Sequence, residues 1–394
     1  LPSVKDIPFC CDADGVSIWR LVLRAEKAAS DELQQRGQHQ TARYADNLIA
    51  VRVLGRLMLD FWNYSSSFCS GLNLYHRINL EIKLCYGAKS TDGDTEKAKQ
   101  NAEHRAVFQL GLYYMNFLLR VFRSNAGPIP TPSTHPSRPS MDVHRQRIIE
   151  RMAEAPKSKA DVKEQALIRD GYKCTVTQSY DMDVCYRLPD LMENVIAAKA
   201  CTTVTQCAHL FSESAQDGNK VISLCLAFPF LMILQAPECA GNAFAMMEMF
   251  GLTQQIENLL GGQVNGLHNV LTMDLGLHSL FDSFKFWLEP VPGEDNTYDM
   301  HSFRKNWLRL YVNVPKDLRV TFAVDPAVEA ECRAKNIPVP ALPSRDLIAL
   351  RASCARVANI SGAVEYFERI LYDREATAVM ANDGSTAGLL ASLL

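Results

Sequence analysis

The sequence predicts an α+β protein, and three observations lead to that class. Apolar residues recur at helical spacing through roughly the first 125 residues, β-rich stretches come only later, and a proline-rich segment separates the two regimes. A chain of 394 residues with 47% hydrophobic and 22% charged content has the composition of an ordinary globular protein, long enough for two or three domains. Its net charge of −3 argues against a protein that coats nucleic acid, which needs a basic excess, but leaves room for one local basic groove.

The elements follow in order. Ile18, Trp19, Leu21, Val22 and Leu23 open a helix that should run from 16 to about 35, and Leu48, Val51, Val53, Leu54, Leu57 and Leu59 mark a second over 41–64. Periodicity leaves 75–84 as helix or strand, and 95–122 reads as a long helix. Five prolines within 127–140 make an extended linker, so residues 1–126 form a helical module. Beyond it, 141–155, 158–169 and a stretch from Leu188 read as helices. Strands are expected at 171–177, 202–209, 284–288, 308–314 and 318–324. Arg304, Lys305, Arg309, Lys316 and Arg319 outnumber the acids around them, as a phosphate-binding strip or a solvated face would. After Ile337–Pro343, Ser344 should cap a helix to about Asn359, with another from Gly362 to Tyr372. Residues 141–325 and 326–394 are thus the second domain and a C-terminal helical extension.

Twelve cysteines are spread along the chain with no C-x-x-C pair, and no charged-then-apolar leader opens it. Both point to a reducing compartment, cytoplasmic or nuclear. The longest apolar run, Val221 to Leu234, is broken by Pro229 and is too short to span a bilayer, so no membrane partner is expected.

One stretch stands out chemically. Val264-Asn265-Gly266-Leu267-His268-Asn269 reads as a loop, followed by an apolar turn and a helix on which His278 and Asp282 lie four apart on one face. A His and a carboxylate at that spacing suit a divalent metal. Upstream, the β-rich Thr202–Phe211 carries His209 near its end. His268 would alternate away from the site. This order of a strand His, a loop Asn and a helix His resembles the HNH family of ββα-metal endonucleases. Arg169-Asp170-Gly171 with Cys174 and Thr177 is similar to the lead-in of HNH proteins common in fungi, and Phe281-Asp282 to their exit into a strand. The similarity covers about 166–178, 201–214 and 264–290.

The resemblance implies an elaborated HNH-like ββα-metal core in 141–325, interrupted by an insertion over 212–262, and a metal-dependent endonuclease acting on nucleic acid, DNA before RNA. His209 would be the general base, Asn269 its support, and His278 and Asp282 the metal ligands. A neutral imidazole, with an ordinary pKa of about 6.5, suits a base. One position departs from the family, where an Asp or His often precedes the base: here it is Ala208. Two protein ligands suit Mg²⁺, which keeps its waters, better than Zn²⁺; Mn²⁺ and Fe²⁺ are further candidates. Ala208 also opens a second reading. With His209 on the metal, His209, His278 and Asp282 form the two-His-one-carboxylate set of non-haem Fe(II) enzymes, walled by Val221–Leu234 and Met246, Met247 and Met249 around a small-molecule substrate, as in fungal specialised metabolism. A third reading is an inactive interaction protein.

Overall fold

The computed structural model describes residues 1–35, 41–64, 74–86, 95–123, 159–211, 265–311 and 313–369. The linker at 127–140, the helix expected at 141–155, the insertion at 212–262 and the tail after 369 lie outside the described residues. What is described is a mixed α and β protein with small sheets.

The first region is helical, as its periodicity predicts. Helices α1 (Ala13–Gln35), α2 (Thr41–Asn63), α3 (Leu74–Lys83) and α4 (Glu96–Tyr114) pack on one another around Trp19, Leu54, Phe61 and Ile78. Residues 75–84 are therefore helix. Thr95 caps α4 by accepting the amide of Ala98, and a π turn over Met115–Leu119 extends it. Gly111 lets α4 lie against α2, since a β-carbon there would sit 2.4 Å from the carbonyl oxygen of Ala50.

Helix α5 (Lys159–Arg169) leads into a segment where the expectation fails. Residues 171–177 are turns, not a strand. Gly171 and Tyr172 both have positive φ (64° and 61°), which ends any extended run, and the Cys174 thiol accepts the amides of Val176 and Thr177, folding the chain back. Strand β1 (Tyr180–Asp181), helices α6 (Met182–Arg187) and α7 (Pro189–Ala197) and strand β2 (Thr202–Thr203) follow, with β1 and β2 parallel.

The 202–209 run breaks at Val204, and strand β3 (Thr205–His209) pairs antiparallel with β4 (Val270–Asp274), His209 opposite Val270. The stretch read as an apolar turn is thus a strand. Its pattern misled because both faces are covered: Val270 packs on Val162 and Ala166 of α5, while Leu271 and Met273 enter the main core. Helix α8 (Leu275–Asp282) starts directly from β4. Asp274 makes the corner by accepting the amides of Gly276 and Leu277 and the hydroxyl of Thr203.

A three-stranded antiparallel sheet joins β5 (Phe286–Pro290), β6 (Thr297–Ser302) and β7 (Arg319–Thr321). The strand expected at 308–314 is instead a 3₁₀ turn over Trp307–Leu310, entered through Asn306 at φ 65°; its place in the sheet is taken by β6. Helix α9 (Pro326–Ala334) follows, and α10 (Arg345–Ser361) begins at Ser344, whose hydroxyl accepts the amide of Leu347, and stops at Gly362 with φ 89°.

Helix α10 is almost wholly buried, packed between α2 and β5. One hydrophobic cluster runs from Ile7 to Phe367 through the N-terminal helices, the β3–β4 hairpin and α10, with no break at the linker or at residue 326. Among the described residues no single helix is long and apolar enough to cross a membrane; α10 with Ala363–Arg369 passes only as a pair bent by 85°.

The fully buried Arg351 on α10 donates to the carbonyls of Phe122, Leu210 and Phe281. Arg351→Met leaves those oxygens unsatisfied and should lower the unfolding free energy by about 3–5 kcal/mol. Urea unfolding followed by circular dichroism checks this; an unchanged midpoint would show that the three carbonyls find other donors.

Candidate functional site

Asn265, the 3₁₀ turn Leu267–Asn269, β3, β4 and α8 assemble around one hairpin and the helix that follows it. The hairpin is short, so its ends need fixing, and Asn269 fixes one of them. Fully buried, it accepts the amide of Phe211 through Oδ1 at 2.8 Å and donates from Nδ2 to the Phe211 carbonyl at 2.9 Å. Its own carbonyl takes the amide of Leu210 at 2.8 Å. Asn269 therefore acts on the backbone that carries His209 out of β3.

His209 is half-buried. Its Nε2 lies 3.1 Å from Oδ1 of Asn265, within hydrogen-bond reach. Asn265, four residues before the Asn expected to support the base, thus meets the imidazole directly. Asn265 has no sequence signal of its own, because its role depends on the hairpin closing.

His278 and Asp282 face each other on α8 as their spacing predicts, Nε2 to Oδ2 at 3.1 Å. Across the hairpin Gln206 Oε1 lies 2.7 Å from Nδ1 of His278. Gln206 sits on the strand face that meets α8, whereas Cys207 packs on the other face beside Val162 and Val270. His209 shares the alternation of Cys207, so it leaves the strand on the side opposite Gln206 and His278. Ala208 is on the α8 side, fully buried. His209, His278 and Asp282 are all described, yet no group of three or more His, Cys, Asp or Glu able to hold a metal occurs among the described residues. The two-His-one-carboxylate set does not form.

The His278–Asp282 pair itself fits a cation. With Nδ1–H donating to Gln206, a neutral imidazole turns the Nε2 lone pair toward a carboxylate oxygen, and two acceptors face each other at 3.1 Å. A cation shared with Asp282 would satisfy that contact, as would the other ring tautomer, Nε2–H donating to Asp282 with Nδ1 accepting from the Gln206 amide. Asp282 Oδ1 is buried and makes no hydrogen bond, which leaves it available as a ligand. An orienting acceptor on the far nitrogen is the arrangement metal-ligating histidines use. One feature opposes a cation: Nη2 of Arg351 lies 3.6 Å from Asp282 Oδ1. Burial pulls the Arg351 guanidinium down to about 10, the Asp282 charge partly offsetting it. The nearby thiols are not nucleophiles, since burial pushes Cys207 up to about 12 and raises Cys174 as well.

Compared with family models, curated proteins and solved structures, the chain matches none.

Because Asn269 satisfies both polar groups of Phe211, Asn269→Ala orphans two buried backbone atoms, each costing about 1–3 kcal/mol. The substitution should speed amide hydrogen exchange at Leu210 and Phe211 at least tenfold while leaving α1–α4 unchanged. Uniform acceleration over the whole chain would instead mark Asn269 as a global stability residue.

Proposed function

We propose that this protein is a divalent-metal-dependent endonuclease that hydrolyses phosphodiester bonds in nucleic acid, built on an HNH-like ββα core formed by β3, β4 and α8. The observation that carries the reading is the uninterrupted hairpin-to-helix unit with His209 at its strand end, Asn269 holding that end, and His278 and Asp282 on the helix. His209, the general base that the resemblance implies, leaves β3 on the face opposite His278, so the cation itself would activate the attacking water by lowering its pKa. His278, oriented by Gln206, and Asp282 would hold the cation. A bound Mg²⁺ would supply positive charge to the phosphate oxygens and the leaving oxygen. DNA is the proposed substrate before RNA. The described cysteines are all unpaired, which supports an intracellular, reducing setting.

A second reading has its own observation. Arg351 already places a positive charge beside Asp282, so the pair is balanced without a metal, and the unit would then be a non-catalytic interaction module. The small-molecule oxygenase reading has no such support. It requires His209 beside His278, and the apolar wall it invokes, Val221–Leu234 with Met246, Met247 and Met249, lies outside the described residues.

Plasmid nicking in Mg²⁺ tests the proposal. His209→Ala should leave the nicking rate within a few-fold, because His209 faces away from His278; a fall of about 10²–10⁴-fold would instead make it the general base. In titration calorimetry, His278→Ala and Asp282→Ala should each weaken Mg²⁺ binding, and the double variant should be little worse than either one. A wild-type protein that neither binds Mg²⁺ nor nicks, yet folds, would leave the interaction module as the surviving reading.

A further inference from the structure

We propose that the strip from Phe303 to Tyr311 is a docking surface for single-stranded nucleic acid, feeding the strand toward α8. This rests on the reading above that the substrate is a nucleic acid.

The strip is built by local geometry. At the end of β6 the chain leaves the sheet, Asn306 takes the left-handed conformation, and the Trp307–Leu310 turn brings three aromatic rings into a row. Phe303 meets Trp307 edge to face at 5.0 Å, and Trp307 meets Tyr311 at 6.3 Å and 89°. Trp307 and Tyr311 are half-buried against the core, and Phe303, the outermost ring, is 39% exposed. Beside it Leu310 is 76% exposed, which extends the apolar part of the strip.

Three cations flank this row. Arg304, Lys305 and Arg309 are exposed, and none forms an ion pair with a described residue; Arg304 lies over the Phe303 ring at 5.3 Å. Residues 303–311 contain no acid. Arg319, another base of the sequence strip, is spent differently: Asp299 and Glu294 bind it, and these acids raise its already high pKa, the hydrogen bond to Asp299 first. Arg304, Lys305 and Arg309 thus keep their positive charge unneutralised by a described acid, on a chain whose net charge is −3. A local basic stripe on an acidic protein is complementary to a polyanion.

Location links the strip to the hairpin helix. A β-carbon on Gly276 would sit 3.2 Å from Cε1 of Tyr311, so Tyr311 packs on the first turn of α8, two residues before His278. Glycine at 276 permits that approach. Aromatic faces interleaved with cations recognise unstacked bases with phosphates alongside; in a duplex the base faces are covered and only the cations would engage.

The test is fluorescence anisotropy of the full chain with a labelled single-stranded 12-mer and with the same sequence as a duplex. Tighter binding of the single strand, with quenching of tryptophan emission, is expected. Phe303→Ala should weaken single-strand binding about 5- to 150-fold. Arg304→Ala, Lys305→Ala and Arg309→Ala combined should reduce the slope of log affinity against log salt by about 2, at about 0.7 per phosphate. All four positions are exposed, and unchanged thermal unfolding of the variants verifies their fold. Equal affinity for single strand and duplex, or a salt slope untouched by the triple variant, would overturn the proposal. The nuclease reading fails separately: strip-dependent binding without any cleavage by the intact protein supports the strip and counts against the enzyme, whereas cleavage unaffected by the strip variants does the reverse.

Discussion

A single guanidinium, that of Arg351, is the constraint on which the described structure turns. It is fully buried beneath helices and hairpin, where an unpaired cation costs several kcal/mol. Its compensation comes from three backbone carbonyls drawn from distant parts of the chain, from the ring face of Phe281 at 3.8 Å, and from the Asp282 carboxylate. Arginine is suited to this, because its planar fork presents five donors at once and keeps its charge. Each carbonyl belongs to a segment end: Phe122 closes the N-terminal helices, Leu210 follows His209 out of β3, and Phe281 lies in the last turn of α8. One side chain therefore fixes the spacing between the strand that carries His209 and the helix that carries His278.

Arg356, five residues further along α10, repeats the device between α2 and β5. It bonds Asp60 at 2.7 and 2.9 Å and pairs with Glu289 at 2.9 Å, while its guanidinium lies 3.7 Å from the Tyr64 ring centroid. Burial works against its charge, but the two carboxylates outweigh that and hold it above the ordinary arginine value. These contacts explain why the hydrophobic cluster ignores the proline-rich linker. The N-terminal helices and α10 are two halves of one core, and the linker connects parts that meet again around Arg351 and Arg356.

What the sequence reveals of this arrangement follows the range of each interaction. Helices α1, α2, α4, α5 and α10 are legible because their burial repeats every turn and their caps, Thr95, Ser344 and Gly362, are local chemistry, whereas the ten-residue α3 is too short for periodicity to separate helix from strand. Strand β4 is illegible because Val270, Leu271 and Met273 are all buried and show no alternation. The Gly171–Thr177 turn hides because its cause, a thiol accepting backbone amides, is not a pattern of side-chain polarity. The same division holds at the candidate site. His278 and Asp282 are recognisable four apart on one helix, and so is His209 at a strand end. Gln206, Asn265 and Arg351 act only after β3 meets β4 and α10 packs beneath them, so nothing near them in the chain announces a role. The facial triad fails for a related reason. Three residues in a suitable order do not converge when strand alternation sends one of them to the opposite face.

The charge at Asp282 is the remaining physical question, and its terms can be weighed. At 3.6 Å from Arg351 the attraction is on the order of 4–5 kcal/mol for an effective dielectric constant near 20, before desolvation is subtracted. A divalent cation at the same carboxylate gains Asp282 but meets the Arg351 charge at close range, so much of that gain is cancelled. In the proposed nuclease such a site would hold a metal weakly before substrate binds. A phosphodiester would bring its own negative charge and change the balance, since it would offset the repulsion between a cation held by Asp282 and the Arg351 guanidinium. Metal and substrate should consequently bind each other's complexes more tightly than they bind the bare protein, and by linkage the effect is reciprocal. Loose, substrate-assisted binding is what a two-ligand Mg²⁺ site permits, because that ion keeps its waters and exchanges them for phosphate oxygens. The buried arginine and the sparse ligand set thus need not oppose each other. In the proposed enzyme the polyanion would complete the coordination that Ala208 leaves out.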